Sequence, residues 1–412
     1  MAGRIRRNRV TEIPRSLRKG DRGIHPHHHA RVALVPRENS SIRDRLPGHE
    51  NSFGAIRLGF AMLVIVSHAF PLAGRGGDPT WEWTGTQAHL GNLAVYGFLG
   101  ISGYLVTKSA VRVSPGRFAW HRALRLYPAY WLALIVGAFL ISPIIWALAG
   151  RDMDEFWVEP SGPLGYVMMN GAMWVQQWDI HDLFAPQPLG VAPSAQWLAG
   201  AVNGSLWTLA YELMCYILIG ALAAWGILHR ARYMVPVVAG IFGLLLLVIR
   251  IRPGFIAHFV PVLDDSMITL GWVFMLGATA AVYNASIPLR NRYGIIATIV
   301  TIATLLLGGF HIIGIPAFVY ATLWAGAALP KIFHRVGSTN DYSYGMYLYG
   351  WPVAQVLAFA GLQEKLAVFI ILTILGAGVM AWLSWHGVEK WALRLKHANL
   401  PQRARVRSVS AT

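Results

Sequence analysis

Long apolar stretches constrain the fold of this 412-residue chain more than any other feature of its sequence. They are about 17 to 25 residues long and nearly free of charge, which is the length of helix that crosses a bilayer core of about 30 Å. Only 13% of the residues are charged, about half the share found in soluble domains, and this excludes a soluble globular enzyme. We therefore predict an all-α polytopic membrane protein with about ten transmembrane helices. The spans are expected at about 54–72, 91–108, 126–149, 204–228, 233–250, 267–284, 293–309, 311–328, 343–361 and 365–386.

The positive charge of the chain is concentrated at its two ends. The formal net charge is +16, of which residues 1–57 contribute +8 and residues 387–412 contribute +5. Basic segments beside membrane spans mark the cytoplasmic side, so we predict that both ends are cytoplasmic and that neither binds nucleic acid. An even number of spans agrees with this placement.

The same charge pattern predicts the organisation of the chain. Residues 1–52 are expected to form a basic, disordered cytoplasmic tail, residues 53–390 the transmembrane domain, and residues 391–412 a second basic cytoplasmic tail. The one long loop, at about 150–203, then lies outside the cell membrane. It is rich in Pro, Gly and Trp, and we expect it to be too polar to face lipid.

Two ionisable residues within the spans are candidate functional groups, because such groups are costly inside a bilayer. His68 follows Arg57 by eleven residues, or about 16 Å of helix. If Arg57 marks the cytoplasmic boundary, the imidazole lies near the bilayer midplane or slightly beyond it. Glu212 enters the fourth span from the outer side. Each could instead be structural, with His68 bonded to a neighbouring helix and Glu212 paired with a Trp or Tyr that locks two helices together.

Arg122 and Arg125 lie between the second and third spans, three residues apart, and share one face if this stretch is helical. Two guanidinium groups on one face can hold a phosphate or a carboxylate. Snorkelling of basic side chains at a cytoplasmic boundary also explains them. The aromatic residues Trp207, Tyr347 and Tyr349 could stack against a sugar or simply pack in the core.

Together these segments resemble acyltransferase family three, the integral-membrane O-acyltransferases. Two positions depart from the family pattern, because Gly350 stands where many members have His and Trp391 stands where Pro is commoner. The matching segments follow the family's order from about residue 53 to 395: Arg57 with His68, Gly97-Phe-Leu-Gly-Ile-Ser-Gly-Tyr-Leu105, Arg122-Ala-Leu-Arg125-Leu-Tyr-Pro128, Leu206-Trp-Thr-Leu-Ala-Tyr-Glu212, Ser343-Tyr-Gly-Met-Tyr-Leu-Tyr349 and Val388-Glu389.

The resemblance implies transfer of an acyl group, usually acetyl, from cytoplasmic acyl-CoA to a hydroxyl of a cell-surface or secreted glycan. His68 is then the general base or a transient acyl carrier. Acetyl-CoA is the expected co-substrate, and no metal is expected. The expected partners are the lipid bilayer of the cell inner (plasma) membrane and a glycan or lipid-linked saccharide. The residues expected to act are, by role, His68 and Glu212 in catalysis, Arg57, Arg122 and Arg125 in CoA binding, and Trp207, Tyr347 and Tyr349 in acceptor binding.

A proton-coupled transporter of an anionic or sugar-linked substrate is the alternative. His68 and Glu212 would form its proton relay, and Arg122 with Arg125 would bind the anionic cargo. A membrane scaffold without enzymatic activity is a third interpretation, and it predicts that neither His68 nor Arg125 matters.

Overall fold

The computed structural model describes residues 40–48, 50–185, 200–260 and 263–397, and these residues form helices and two isolated β-bridges but no sheet. A helix occupies each of the ten predicted spans. They are α1 (Phe53–Leu72), α2 (Leu90–Ala110), α3 (Pro115–Leu148), α4 (Trp207–Ala224), α5 (Met234–Ile251), α6 (Asp265–Val282), α7 (Asn291–Leu307), α8 (Phe310–Ala328), α9 (Ser343–Phe359) and α10 (Leu366–Arg394).

Eight of these helices are long and apolar enough to cross a membrane, while α7 and α9 are shorter, at 17 residues each. The prediction of an all-α polytopic membrane protein is therefore confirmed. The number of ten spans and the cytoplasmic position of both ends stay predictions.

Helices α2 and α6 pack closely because glycines face backbone at their interface. A Cβ atom at Gly103 would lie 2.0 Å from the carbonyl oxygen of Phe274, and one at Gly277 would lie 2.2 Å from the carbonyl oxygen of Gly100. Small residues are used in this way where two membrane helices approach each other. Any larger residue at Gly103 or Gly277 would force these two helices apart.

Helix α9 lies in the interior of the bundle, where most of its residues are buried. The segment before α4 is fastened to it by polar side chains. Asn203 Nδ2 donates to the carbonyl of Leu348 (2.8 Å), and Trp351 Nε1 donates to the carbonyl of Ala201 (3.0 Å). These bonds set the position of the first turn of α4, which carries Trp207.

The long loop packs back along α3 over its described residues, 150–185. Its short helix Pro163–Asn170 reaches the middle of α3, where the Tyr130 hydroxyl donates to the carbonyl of Asn170 (2.7 Å) and Trp131 Nε1 donates to the carbonyl of Gly171 (2.8 Å). Two exposed tryptophans of α3 and the loop, Trp131 and Trp174, lie on the outer surface of this region.

The expectation that this loop is too polar to face lipid stays a prediction, and its described part shows how the polar groups are accommodated. The buried Asn170 side chain accepts from the backbone N–H groups of Gln176 and Gln177 (2.8 and 3.1 Å) and donates to the carbonyl of Gln177 (2.7 Å). Polar groups of the loop are thus bonded internally, and apolar side chains such as Leu164 and Met168 face outward. Residues 186–199 lie outside the described residues.

Both predicted tails begin inside the fold. Residues 1–39 and 398–412 lie outside the described residues, but residues 40–46 are folded, with Ile42 and Leu46 buried. The backbone N–H of Ile42 donates to the carbonyl of Ile287 (3.0 Å). The predicted boundary at residue 52 was therefore too late, because Ile42 and Leu46 lie one turn apart and bury their apolar side chains together. Residues 391–397 likewise continue α10 as helical turns.

Candidate active site

One carboxylate joins three helices at the end of the bundle that carries the basic loops. Asp341 Oδ2 accepts from Arg57 Nη1 of α1 (2.7 Å) and from Arg125 Nη2 of α3 (2.5 Å). Its Oδ1 accepts from Ser343 in the first turn of α9. The structure thus brings together two of the three arginines predicted to bind CoA, and both pair with Asp341 in one largely buried cluster.

Asp341 was missed as a functional residue, because only aromatic residues, Tyr347 and Tyr349, were considered near the start of α9. A useful signal was present: charged residues within membrane helices pair with each other, and Arg57 and Arg125 each need a counter-charge. Burial alone would raise the pKa of Asp341, but the charges of Arg57 and Arg125, with hydrogen bonds from Ser343, outweigh it and hold that pKa well below its usual range.

Arg122 has different surroundings from Arg125. Its guanidinium lies 5.8 Å from the ring centres of both Phe118 and Tyr216. The Tyr216 hydroxyl donates to Glu212 Oε1 (2.6 Å), which also accepts from the Ser102 hydroxyl (3.0 Å). Tyr216 therefore links Arg122 to Glu212 in the interior of the bundle.

A narrow central cavity lies between these charged groups and the middle of the bundle. It contains about 430 Å³ of unfilled space, part of which is open to solvent. The Tyr347 hydroxyl, on its wall, donates to the carbonyl of Ser205 (2.7 Å) and is hydrogen-bonded to the hydroxyl of Thr208. Its lining residues are Arg57, Val95, Phe98, Leu99, Thr208, Leu209, Glu212, Tyr344 and Tyr347.

A second and wider cavity, the outer cavity, lies toward the opposite end of the bundle. It contains about 730 Å³ of unfilled space, part of which is open to solvent. Its wall includes Tyr96 and Trp207, each directly adjacent in sequence to a residue that lines the central cavity. The Trp81 ring stacks on His89 in this wall, with 4.3 Å between ring centres. Arg250 and Asp265 bring opposite charges to the same cavity. The outer cavity therefore combines aromatic faces with hydrogen-bonding groups.

His68 lies beside the outer cavity, one turn before α1 ends. Its ring meets Trp351 edge to face, with 5.0 Å between ring centres, and its electrostatic neighbours are Asp78 and His89. Asp78 is buried, accepts from the backbone N–H of Leu90 (3.0 Å) and lies 3.8 Å from His89 Nδ1. His68 itself is not among the residues that line the central or the outer cavity.

Glu212 pairs with a tyrosine, as its structural alternative expected, although Tyr216 lies on the same helix, α4. Glu212 bonds with Ser102 and Tyr216 rather than with His68, so these hydrogen bonds do not orient the imidazole. Tyr349 is buried beside Ser384, whose hydroxyl donates to Glu389 Oε1 (2.9 Å). Tyr349 is absent from the lining of both cavities, whereas Tyr347 lines the central one and Trp207 the outer one.

The class of this protein follows from its similarity to a known family. The sequence profile of an acyltransferase domain family matches residues 50–385, which is most of the chain. The chain belongs to this acyltransferase family. It is therefore an enzyme of the transferase class, embedded in a lipid bilayer, and the predicted family is confirmed. Family membership favours this class over the transporter and the scaffold.

Two curated relatives are similar over most of their length. An O-acetyl transferase of Shigella phage Sf6 is 27% identical over 350 residues, which are 82% of this chain and 95% of the relative. Nodulation protein 10 of Rhizobium leguminosarum bv. viciae is 26% identical over 390 residues, 87% of this chain and 97% of the relative. No solved structure matches the chain.

Proposed function

We propose that this protein is an inner-membrane O-acetyltransferase that moves an acetyl group from cytoplasmic acetyl-CoA to a hydroxyl of an extracytoplasmic glycan. The observation that carries the proposal is a pair of cavities lined by neighbouring residues: Val95 and Thr208 line the central cavity together with Arg57, and Tyr96 and Trp207 line the outer cavity together with His89. A donor and an acceptor that reside on opposite sides of a membrane need binding sites that lie this close together inside the bundle. The acetyl group is favoured by the similarity to the O-acetyl transferase of the phage.

The donor enters from the arginine-rich end in this proposal. The nucleotide of CoA is polyanionic and stays outside the hydrocarbon region, where basic side chains bind its phosphates by charge-assisted hydrogen bonds. The pantetheine arm is thin and suits the narrow central cavity. Its length is comparable to the ~16 Å of helix between Arg57 and His68, so the thioester can reach the far end of that cavity.

The acceptor binds in the outer cavity. A sugar ring offers an apolar face that can stack on an indole such as that of Trp207, and its hydroxyls need polar partners such as those of Arg250 and Asp265. The wall of this cavity contains His89, an electrostatic neighbour of His68. A hydroxyl held there lies on the side of the bundle where the imidazole is located.

His68 acts as the general base in the proposed reaction. It removes the proton of the acceptor hydroxyl as the oxygen attacks the thioester carbonyl, and the carbon–sulfur bond then breaks. The leaving CoA thiolate takes up the proton, so the products are the acetyl ester and CoA thiol. The negative charge of Asp78 favours the transient imidazolium. In the alternative mechanism, His68 itself is transiently acylated and then passes the acetyl group to the acceptor hydroxyl.

The direct test is transfer of labelled acetyl in proteoliposomes of the purified protein. Vesicles receive acetyl-CoA labelled in the acetyl group on one face and envelope glycan on the other. We expect the label in the glycan as an ester that mild base releases. Label that crosses the membrane as intact acetyl-CoA, with no ester formed, would contradict the proposal and support a transporter.

Replacing Trp207 with alanine should weaken acceptor binding. Loss of an aromatic stacking surface is expected to raise the KM for the glycan roughly 10-fold, and the KM for acetyl-CoA should stay the same. Steady-state kinetics with each substrate varied in turn measure this. Trp225→Ala is the matched control, because Trp225 ends the same helix and is 74% exposed. An unchanged acceptor KM in Trp207→Ala would remove Trp207 from the site.

A further inference from the structure

The C-terminal end of the described chain lies against the start of α3. After Arg394 a short turn, Leu395–His397, runs beside the residues that precede Arg122. Trp120 Nε1 donates to the carbonyl of Leu395 (3.1 Å), and His121 Nε2 lies 3.3 Å from the carbonyl oxygen of Lys396. The backbone of Lys396 is thereby held next to Arg122.

Three cations meet at this position. Lys396 is half-buried, and its burial, together with the charges of Arg122 and Arg125, lowers the pKa of its ammonium group to about 8. The lowered pKa of Lys396 means that burial disfavours its charged form and that the two arginines repel it. Glu212 offsets part of the charge of Arg122, whereas the charged groups that act on Lys396 are both cations. A partly buried ammonium in these surroundings is costly unless an anion joins it.

Asp341 forms an ion pair with only one of these three cations, and the buried carboxylate of Glu389 acts on the same cation, Arg125. Asp341 pairs with Arg125 and with Arg57. Within the part of the chain that the structure describes, neither Arg122 nor Lys396 forms an ion pair, and the enclosed Nε atom of Arg122 has no hydrogen-bond partner there. The two arginines therefore have different roles. Arg125 holds helices together through Asp341, whereas the Nε–H group of Arg122, unpartnered among the described residues, is free to donate to a ligand.

We propose that Lys396 and Arg122 together bind a phosphate group, and that this phosphate belongs to the nucleotide end of the acyl donor. The inference rests on the proposed function and extends it, because it assigns donor recognition to the C-terminal segment. Ammonium and guanidinium groups on one dianion form charge-assisted hydrogen bonds, and the anion relieves their repulsion. Tyr216 connects this position to Glu212 on the wall of the central cavity, which is the route of the donor's thioester arm.

The test compares a donor that has the nucleotide with one that lacks it. Lys396→Gln should raise the KM for acetyl-CoA roughly 10-fold with kcat unchanged. The KM for acetyl-pantetheine, which has no phosphate, should be the same in the variant and the wild type. Lys396→Arg should restore the wild-type KM for acetyl-CoA. Lys390→Gln is the matched control, because Lys390 lies on the same segment with an exposed side chain, and it should change neither KM.

The variant is expected to fold, because the backbone carbonyl of Lys396, which the substitution keeps, makes the polar contact with His121. Equal rises in KM for both donors would indicate a structural role and overturn the proposal, as would no change for either. A lipid phosphate is the other source of the same chemistry, and reconstitution with and without phosphatidylglycerol separates the two. If anionic lipid stimulates the wild type but not Lys396→Gln when acetyl-pantetheine is the donor, the site binds lipid and the donor assignment fails.

Failure of this inference can be told apart from failure of the proposed function. If the wild type transfers acetyl from neither donor, the proposed function fails. Calorimetric titration with inorganic pyrophosphate still tests the phosphate site in that case. A Kd that weakens roughly 10-fold in Lys396→Gln supports the site, and an unchanged Kd overturns it.

Discussion

Replacing His68 with alanine should reduce acetyl transfer at least about 100-fold, because a positioned general base contributes 10²–10⁴-fold to such a reaction. The protein should still insert and fold, since α1 keeps its apolar sequence and its ion pair at Arg57. Initial rates of label transfer from acetyl-CoA to glycan, measured with equal amounts of reconstituted protein, give the result.

His229→Ala is the control for the loss of an imidazole, because His229 is exposed in the short connection after α4. It should have wild-type activity. Full acetylation by His68→Ala would refute the assigned role. Incubation with labelled acetyl-CoA and no acceptor distinguishes general-base catalysis from transient acylation of His68. Label that stays on the wild-type protein and is missing from His68→Ala indicates an acyl-imidazole intermediate. Absence of label from both proteins favours general-base catalysis.

Asp341→Asn should destabilise the protein by about 3 kcal/mol, because removal of one partner from a buried ion pair leaves uncompensated charge. Arg57 and Arg125 would face each other with no carboxylate between them. Since Arg57 lines the central cavity, we also expect acetyl transfer to fall. Thermal unfolding of the purified protein in detergent measures the stability, and unfolding at the wild-type temperature would contradict the structural role.

Asp154→Asn, at an exposed position of the long loop, is the control and should leave stability unchanged.

The direction of the pH dependence of stability follows from the lowered pKa of Asp341. A carboxylate with a depressed pKa in the folded state stabilises above its unfolded pKa, about 4, and loses that contribution as the pH falls through the lower folded value. The wild type should therefore show no loss of stability from Asp341 at neutral or mildly acidic pH.

The helices were predictable because each is defined by local composition. The two spans predicted before and after residue 310 are separate helices, α7 and α8. The long loop was harder to predict. Its return along α3 depends on bonds from Tyr130 and Trp131 to Asn170 and Gly171, about 40 residues later in the chain, which no local pattern reveals.

The candidate site was predictable as a set of residues but not as an arrangement. Ionisable groups in apolar helices stand out in a sequence because their burial is costly, and His68 and Glu212 were found in this way. The acidic neighbour of His68, Asp78, and the partner of Arg57 and Arg125, Asp341, were not found. Both lie in segments between spans and resemble ordinary capping residues.

The sequence by itself determined that the chain is an α-helical membrane protein with a family pattern of Arg, His and Glu residues. It could do so because the free energy of placing a side chain in hydrocarbon depends mainly on that side chain. Only the tertiary structure decided which of these residues meet. Arg57 is 284 residues from Asp341, and Arg125 is 216 residues from it. Such charge pairing depends on distances of a few ångströms, which arise only when the helices pack.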